Sequence, residues 1–178
     1  MAKNIEVVIC MGSRSDLPVM KAAVQWLTAL GVKVQTEILS AHRTPQLLEK
    51  AVRNWESRGI QVIIAGAGGA AHLPGMLAAF SCLPVIGVPV ESVALKGLDA
   101  ILSIVQMPAG VPVATVSVNG ATNAAILALQ ILAVGDSKVS RAHRKTLIAF
   151  KNNQTKKVKL DRKKLGRLGV EKFLRSSK

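Results

Sequence analysis

Five strand-length runs of apolar residues recur between Ile5 and Val118, and segments with helical signals separate them. The runs from Ile5 to Met11, Gln61 to Ala65 and Pro84 to Val90 are apolar with few interruptions, the run from Val32 to Leu39 alternates with period two, and the run from Val111 to Val118 closes the series. A strand that is apolar on both faces must be covered on both, which is the condition of a parallel sheet with helices above and below it. With right-handed crossovers the expected fold is a three-layer α/β sandwich around a central five-stranded parallel sheet, of flavodoxin-like or Rossmann-like type, followed by a C-terminal helix and a basic tail.

Helix signals sit where this scheme needs them. Ser13 to Asp16 reads as a turn and helix start, Pro18 falls in a first helical turn, and Gly31 suits the left-handed position beyond a helix end. Thr44 is placed to cap a helix with Pro45 at its first position, and Leu47, Leu48, Ala51, Val52 and Trp55 are expected on one buried stripe before Gly59. Short helices are expected from His72 to Phe80 and Leu98 to Val105. The apolar run from Ala121 to Val134 includes Asn123 and Gln130 and is shorter than the roughly 20 residues that span a bilayer, so it reads as a buried helix and not as a membrane anchor. From Asp136 to about Asn152 the pattern is amphipathic, with Val139, His143, Leu147 and Phe150 on one side. A helix beyond a completed sheet needs a cover for that side, and a homo-oligomer is expected. The division read from sequence is one α/β domain over 1–153, including the helix from about 136, and a basic extension over 154–178, either disordered or ordered only by contact.

Composition narrows the classes. A chain of 178 residues with 49% apolar and 3% aromatic content suits one well-buried domain. Cys10 and Cys82 read as two reduced core thiols, and the amino terminus passes into a strand pattern without an export signal; both point to the cytoplasm. Residues 1–136 hold nine Lys or Arg against eight Asp or Glu, a net +1, whereas 137–178 hold fifteen against two, a net +13. Such a tail could bind polyanions, but it lacks interleaved aromatic residues that stack on bases, so a solvated or subunit-contacting tail is the preferred reading over a nucleic-acid partner.

Chemistry concentrates in three turns at the ends of strands, MGSRSD (11–16), SAHRTP (40–45) and AGAGGAAHLPG (65–75). In an open parallel sheet ligands bind at the carboxyl edge, so these turns share one crevice. Ser13 and Asp16 lie at a helix amino end, which favours an anion; either residue could equally just cap the helix. Asp16 would repel a phosphate at contact distance and suits ribose hydroxyls instead. Arg43 offers a planar fork of donors for phosphate oxygens. His42 and His72 are imidazoles able to move protons near neutrality, or simply structural hydrogen-bonding groups, while His143 reads as surface or interface. No residue spacing suggests a metal site. The stretch GAGGAA (66–71), with Glu91 further on, fits G-x-G-x-x-A. That is a weak dinucleotide signal, because it follows the third strand and no second domain is present to hold a hydride partner.

Taken in order with GVPV (87–90) and SIVQMPAGVPVAT (103–115), these motifs resemble the class I PurE family of 5-(carboxyamino)imidazole ribonucleotide mutases, from about Val7 to Val134. The resemblance implies an isomerase of purine biosynthesis, turning 5-(carboxyamino)imidazole ribonucleotide (N5-CAIR) into 4-carboxy-5-aminoimidazole ribonucleotide (CAIR) without ATP, metal or organic cofactor. By the same resemblance Ser13, Asp16 and Arg43 bind the ribonucleotide, Ser40 lines the pocket and His42 transfers protons. The segment with Gly68, Gly69, Ala70 and His72 closes over the imidazole and carboxylate. An octamer is also implied. Class II relatives, which carboxylate aminoimidazole ribonucleotide (AIR) directly, tend to have lysine and no proline where this chain has Arg43 and Pro45, which favours the mutase. Direct AIR carboxylation is the alternative, and a nucleotide- or nucleic-acid-binding protein the more remote one. The basic extension departs from the family pattern.

Overall fold

Val7–Met11 form strand β1, and all five residues are buried. The computed structural model describes residues 5–176. Along them follow a 3-10 turn at Arg14–Asp16, α1 (Leu17–Ala29), β2 (Val34–Ile38), α2 (Pro45–Ser57) and β3 (Val62–Gly68). Then come α3 (Leu73–Phe80), β4 (Val85–Val90), α4 (Leu98–Val105), β5 (Ala114–Thr115), α5 (Ala121–Leu132) and α6 (Lys138–Ser176). The strands are parallel in the order β2-β1-β3-β4-β5, the flavodoxin-like arrangement, whose order reverses between β1 and β3.

Successive strand residues face opposite layers, which is why β1, β3 and β4 had to be apolar throughout. Val8, Cys10, Ile63 and Ala65 join Leu48, Val52 and Trp55 of α2, Leu77 of α3 and Ile104 of α4 in one core. On the other face α1 and α5 pack together and against the sheet. Small residues allow this: Ala121, Ala124, Ala125 and Ala128 of α5 are all fully buried. A Cβ on Gly66 would stand 2.3 Å from Met20 Sδ of α1, so any larger residue there would force the Met20 side chain to shift.

Some expectations need correction. The fifth strand reaches only from Ala114 to Thr115, not from Val111 to Val118. Its partner β4 contains Pro89, which has no N–H to donate; past Thr115 the chain gives its own donors instead, Val116 N–H to Gly87 O and Asn119 N–H to Pro89 O. Leu47 leaves the stripe of α2 and is 53% exposed. Cys82 is exposed, whereas Cys10 is buried, and both are free. Burial, with the Glu37 carboxylate adding to it, pushes the Cys10 thiol up to about 12.

Residues up to Leu132 make one compact unit and those from Ala133 a second. In the second unit Arg144 donates from Nη2 to Ala133 O and Gly135 O, both at 3.0 Å. Leu147 is buried, and His143 and Phe150 are half-buried. The compositional change near Asn153 leaves no mark on α6, which continues to Ser176 with a break in helical geometry at Gly169.

Candidate active site

Four strand ends meet around a cleft of about 480 Å³. Ser13, Asp16, Ser40, His42, Arg43, Gly68, Gly69, Ala70 and His72 all line it. The loop after β1 is closed by reciprocal hydrogen bonds: Ser13 Oγ accepts from Ser15 N–H at 3.0 Å, and Asp16 Oδ2 accepts from Ser13 N–H at 3.0 Å. Both side chains therefore cap the turn while facing the cleft. Asp16 is buried, at 6% exposure, and that desolvation raises its carboxyl above the ordinary 3.8, opposed by hydrogen bonds from Ser13 and Ser15.

After β2 the chain tightens on Ser40 and Thr44. Thr44 Oγ1 accepts from Ser40 N–H at 3.0 Å and donates to Ser40 O at 3.1 Å, instead of capping α2. This turn presents His42 and Arg43 outward. Arg43 donates through Nε to Ser40 Oγ at 3.3 Å and through Nη2 to Gly12 O at 3.5 Å, so its guanidinium lies across the carboxyl ends of β1 and β2. The exposed donors of that fork suit phosphate oxygens.

Beyond β3, Gly69 adopts φ +65°, a conformation that L side chains rarely take, and a Cβ on Gly68 would meet Val90 O at 3.1 Å. The backbone can thus run flat along the cleft floor. His72 precedes α3 and reaches His42, with His72 Nδ1 2.8 Å from His42 Nε2 and the rings edge to face. A hydrogen bond between these nitrogens needs one ring to donate and the other to accept, and the tautomer decides which. Sequence reasoning singled out both histidines but not their pairing, since thirty residues separate them.

The wall after β4 supplies Glu91 and Ser92, which the sequence reading did not place in the pocket. Glu91 N–H donates to Asn119 Oδ1 at 3.0 Å, and Asn119 Nδ2 donates back to Glu91 Oε2 at 3.2 Å. Their signal was the rule already applied to the other strands, that residues just past a strand end face the ligand edge.

Backbone approach in the glycine loop, an arginine fork and a histidine pair at the switch point of an open parallel sheet make an α/β cleft whose chemistry suits a small phosphorylated ligand beside two imidazoles. The chain belongs to the AIR carboxylase family, which its residues 6–157 match. The N5-carboxyaminoimidazole ribonucleotide mutase of Pyrococcus horikoshii is 51% identical over 166 residues, 93% of this chain and 92% of that one. The chloroplastic phosphoribosylaminoimidazole carboxylase of Vigna aconitifolia is 51% identical over 168 residues, 94% of this chain but 29% of that one. The crystal structure of Treponema denticola PurE has a TM-score of 0.81 at 28% identity, covering 89% of this chain and 97% of that one.

Proposed function

We propose that this protein is an N5-CAIR mutase of purine biosynthesis, an isomerase that moves a carboxylate from the exocyclic nitrogen of an aminoimidazole ribonucleotide to a ring carbon. The observation that supports it most is the His42–His72 contact of 2.8 Å in the cleft that Arg43 borders. In this reading Arg43 and Ser13 take the phosphate end of the ribonucleotide and Asp16 accepts from ribose hydroxyls. Ser40 steadies Arg43, and Gly68, Gly69, Ala70 and His72 form the wall over the imidazole.

The reaction balances within substrate and imidazole. Breaking the carbamate N–C bond releases carbon dioxide, while His42 delivers a proton to the nitrogen, leaving AIR. The ring carbon then attacks carbon dioxide, and His42 recovers the proton that this carbon loses, giving CAIR with the histidine in its starting state. Excluding water keeps the trapped gas beside the ring. His42, Arg43 and His72 are exposed in a single chain, so a homo-oligomer, an octamer by family resemblance, is the assembly proposed to close the site. The catalytic portion is residues 1–153, with the extension outside the chemistry. The setting is the cytoplasm, in keeping with two free thiols and with no described helix long and apolar enough to cross a membrane.

The deciding experiment compares turnover of N5-CAIR in carbon-dioxide-depleted buffer with turnover of AIR plus dissolved carbon dioxide, using His42→Asn as control. Rapid conversion of N5-CAIR alone, lost by several orders of magnitude in the variant while ligand binding persists, is the expected result. Turnover of AIR alone would make the protein a direct carboxylase; the Vigna aconitifolia relative is named a phosphoribosylaminoimidazole carboxylase.

A further inference from the structure

The densest charge in the molecule lies on a helix that the proposed reaction does not use. Nine Lys or Arg side chains between Lys156 and Arg175 face only Asp161 and Glu171 in that segment. All nine are exposed, and the ion pairs found among the described residues, Glu49–Arg53 and Glu91–Lys96, lie outside α6. Before the break at Gly169 seven of these cations surround the axis at 3.6 residues per turn: Arg162 and Lys164 project to nearly opposite sides, as do Lys157 and Lys159. Lys159, Lys163 and Arg167 follow one another at one-turn spacing, where like charges repel and weaken the helix. An anionic partner removes that repulsion.

Three partners can be weighed against this geometry. A second copy offers no match, since residues 1–136 carry a net charge of only +1. A lipid surface takes a helix with one continuous apolar face, yet Val158 and Leu160, 67% and 59% exposed, project to opposite sides. A nucleic acid presents a phosphate roughly every 1.7 Å of duplex, in grooves about 12 Å wide that admit a helix and meet it on several sides at once. Phe173 is the only aromatic residue in this segment. That argues against stacking on successive bases but leaves contacts with phosphates open.

We propose that residues 156–175 form a sequence-independent binding arm for the phosphodiester backbone of nucleic acids. The test is fluorescence anisotropy with the full-length protein and two labelled probes, a DNA duplex of about 20 base pairs and an RNA strand of about 20 nucleotides, over about 50–200 mM salt. The parent protein is compared with the full-length variant K156Q/K157Q/K159Q/K163Q/K164Q, and phosphatidylserine vesicles form a third arm. The expected result is saturable binding with a logarithmic salt slope of about −4 to −7, weakened roughly tenfold or more in the variant, while its N5-CAIR turnover stays at the parent level. The tighter of the two nucleic-acid arms then names the source of the phosphates. Absence of saturable binding at the lowest salt, equal binding by the variant, or tighter binding to vesicles than to either nucleic acid would each overturn the proposal. Because turnover is read in the same samples, failure of the arm and failure of the mutase assignment are separate results.

Discussion

Arg43 and Asp16 border the same cleft with opposite demands on the fold. Arg43 is exposed and anchored through Ser40 Oγ and Gly12 O, so its loss leaves the turn standing. Arg43→Ala should weaken ribonucleotide binding by about 1.5–3 kcal/mol, the worth of a charge-assisted hydrogen bond, at nearly unchanged melting temperature; calorimetric titration checks this, and an unaltered dissociation constant would contradict it. Asp16 is buried and its carboxyl is raised above 3.8 by desolvation. The folded chain therefore holds that proton more tightly than the unfolded chain, and stability falls as pH rises from 3.8 through the raised value, leaving a constant deficit above it. Asp16→Asn keeps an oxygen to accept from Ser13 N–H and removes the charge. Its melting temperature at pH 7 should equal or exceed the parent's, its pH dependence over that acid window should flatten, and its affinity for ribonucleotide should drop. A lower melting temperature at pH 7 would show that the charge itself supports the turn.

At the scale of elements, legibility followed burial. β1 and β4 could be read as apolar runs because both of their faces are covered, and the glycine loop could be read because Gly69 needs a left-handed backbone. The end of β5 past Thr115 was hidden, since it depends on Pro89 in the neighbouring strand and the apolar content of the run carries no record of that. The stripe on α2 was read one residue too wide at Leu47, where an apolar side chain lies off the buried arc of Leu48, Val52 and Trp55. The histidine pairing was hidden for a different reason: it is a contact across two strand ends and has no periodicity. Close packing of β4 under α4 gives a prediction at this scale. A Cβ on Gly87 would meet Ile104 Cγ2 at 2.5 Å and Val113 Cγ1 at 2.9 Å, so Gly87→Ala should cost about 1–3 kcal/mol by overpacking. Urea unfolding measures this, and an unchanged midpoint would mean that α4 shifts without penalty.

For the molecule as a whole, the apolar side chains left in solvent are as informative as those inside. Leu98, Leu102 and Val105 form an exposed row along α4, at 56%, 49% and 54%, beside Val93 at 92% and Leu95 at 56%. A row of this kind marks an interaction surface more often than a solvated one, and it supports the proposed homo-oligomer. Leu98→Lys combined with Leu102→Lys should therefore lower the mass measured by multi-angle light scattering; a monomeric parent at micromolar concentration would refute the assembly. The two cysteines supply a way to follow it. Cys10 sits inside the sheet with its thiol held near 12 and stays unreactive, whereas Cys82 is free at the surface. Unmodified protein thus has a built-in single attachment point per chain, and a maleimide dye placed there reports on how chains come together and on which surfaces become shielded when they do, without engineering a residue.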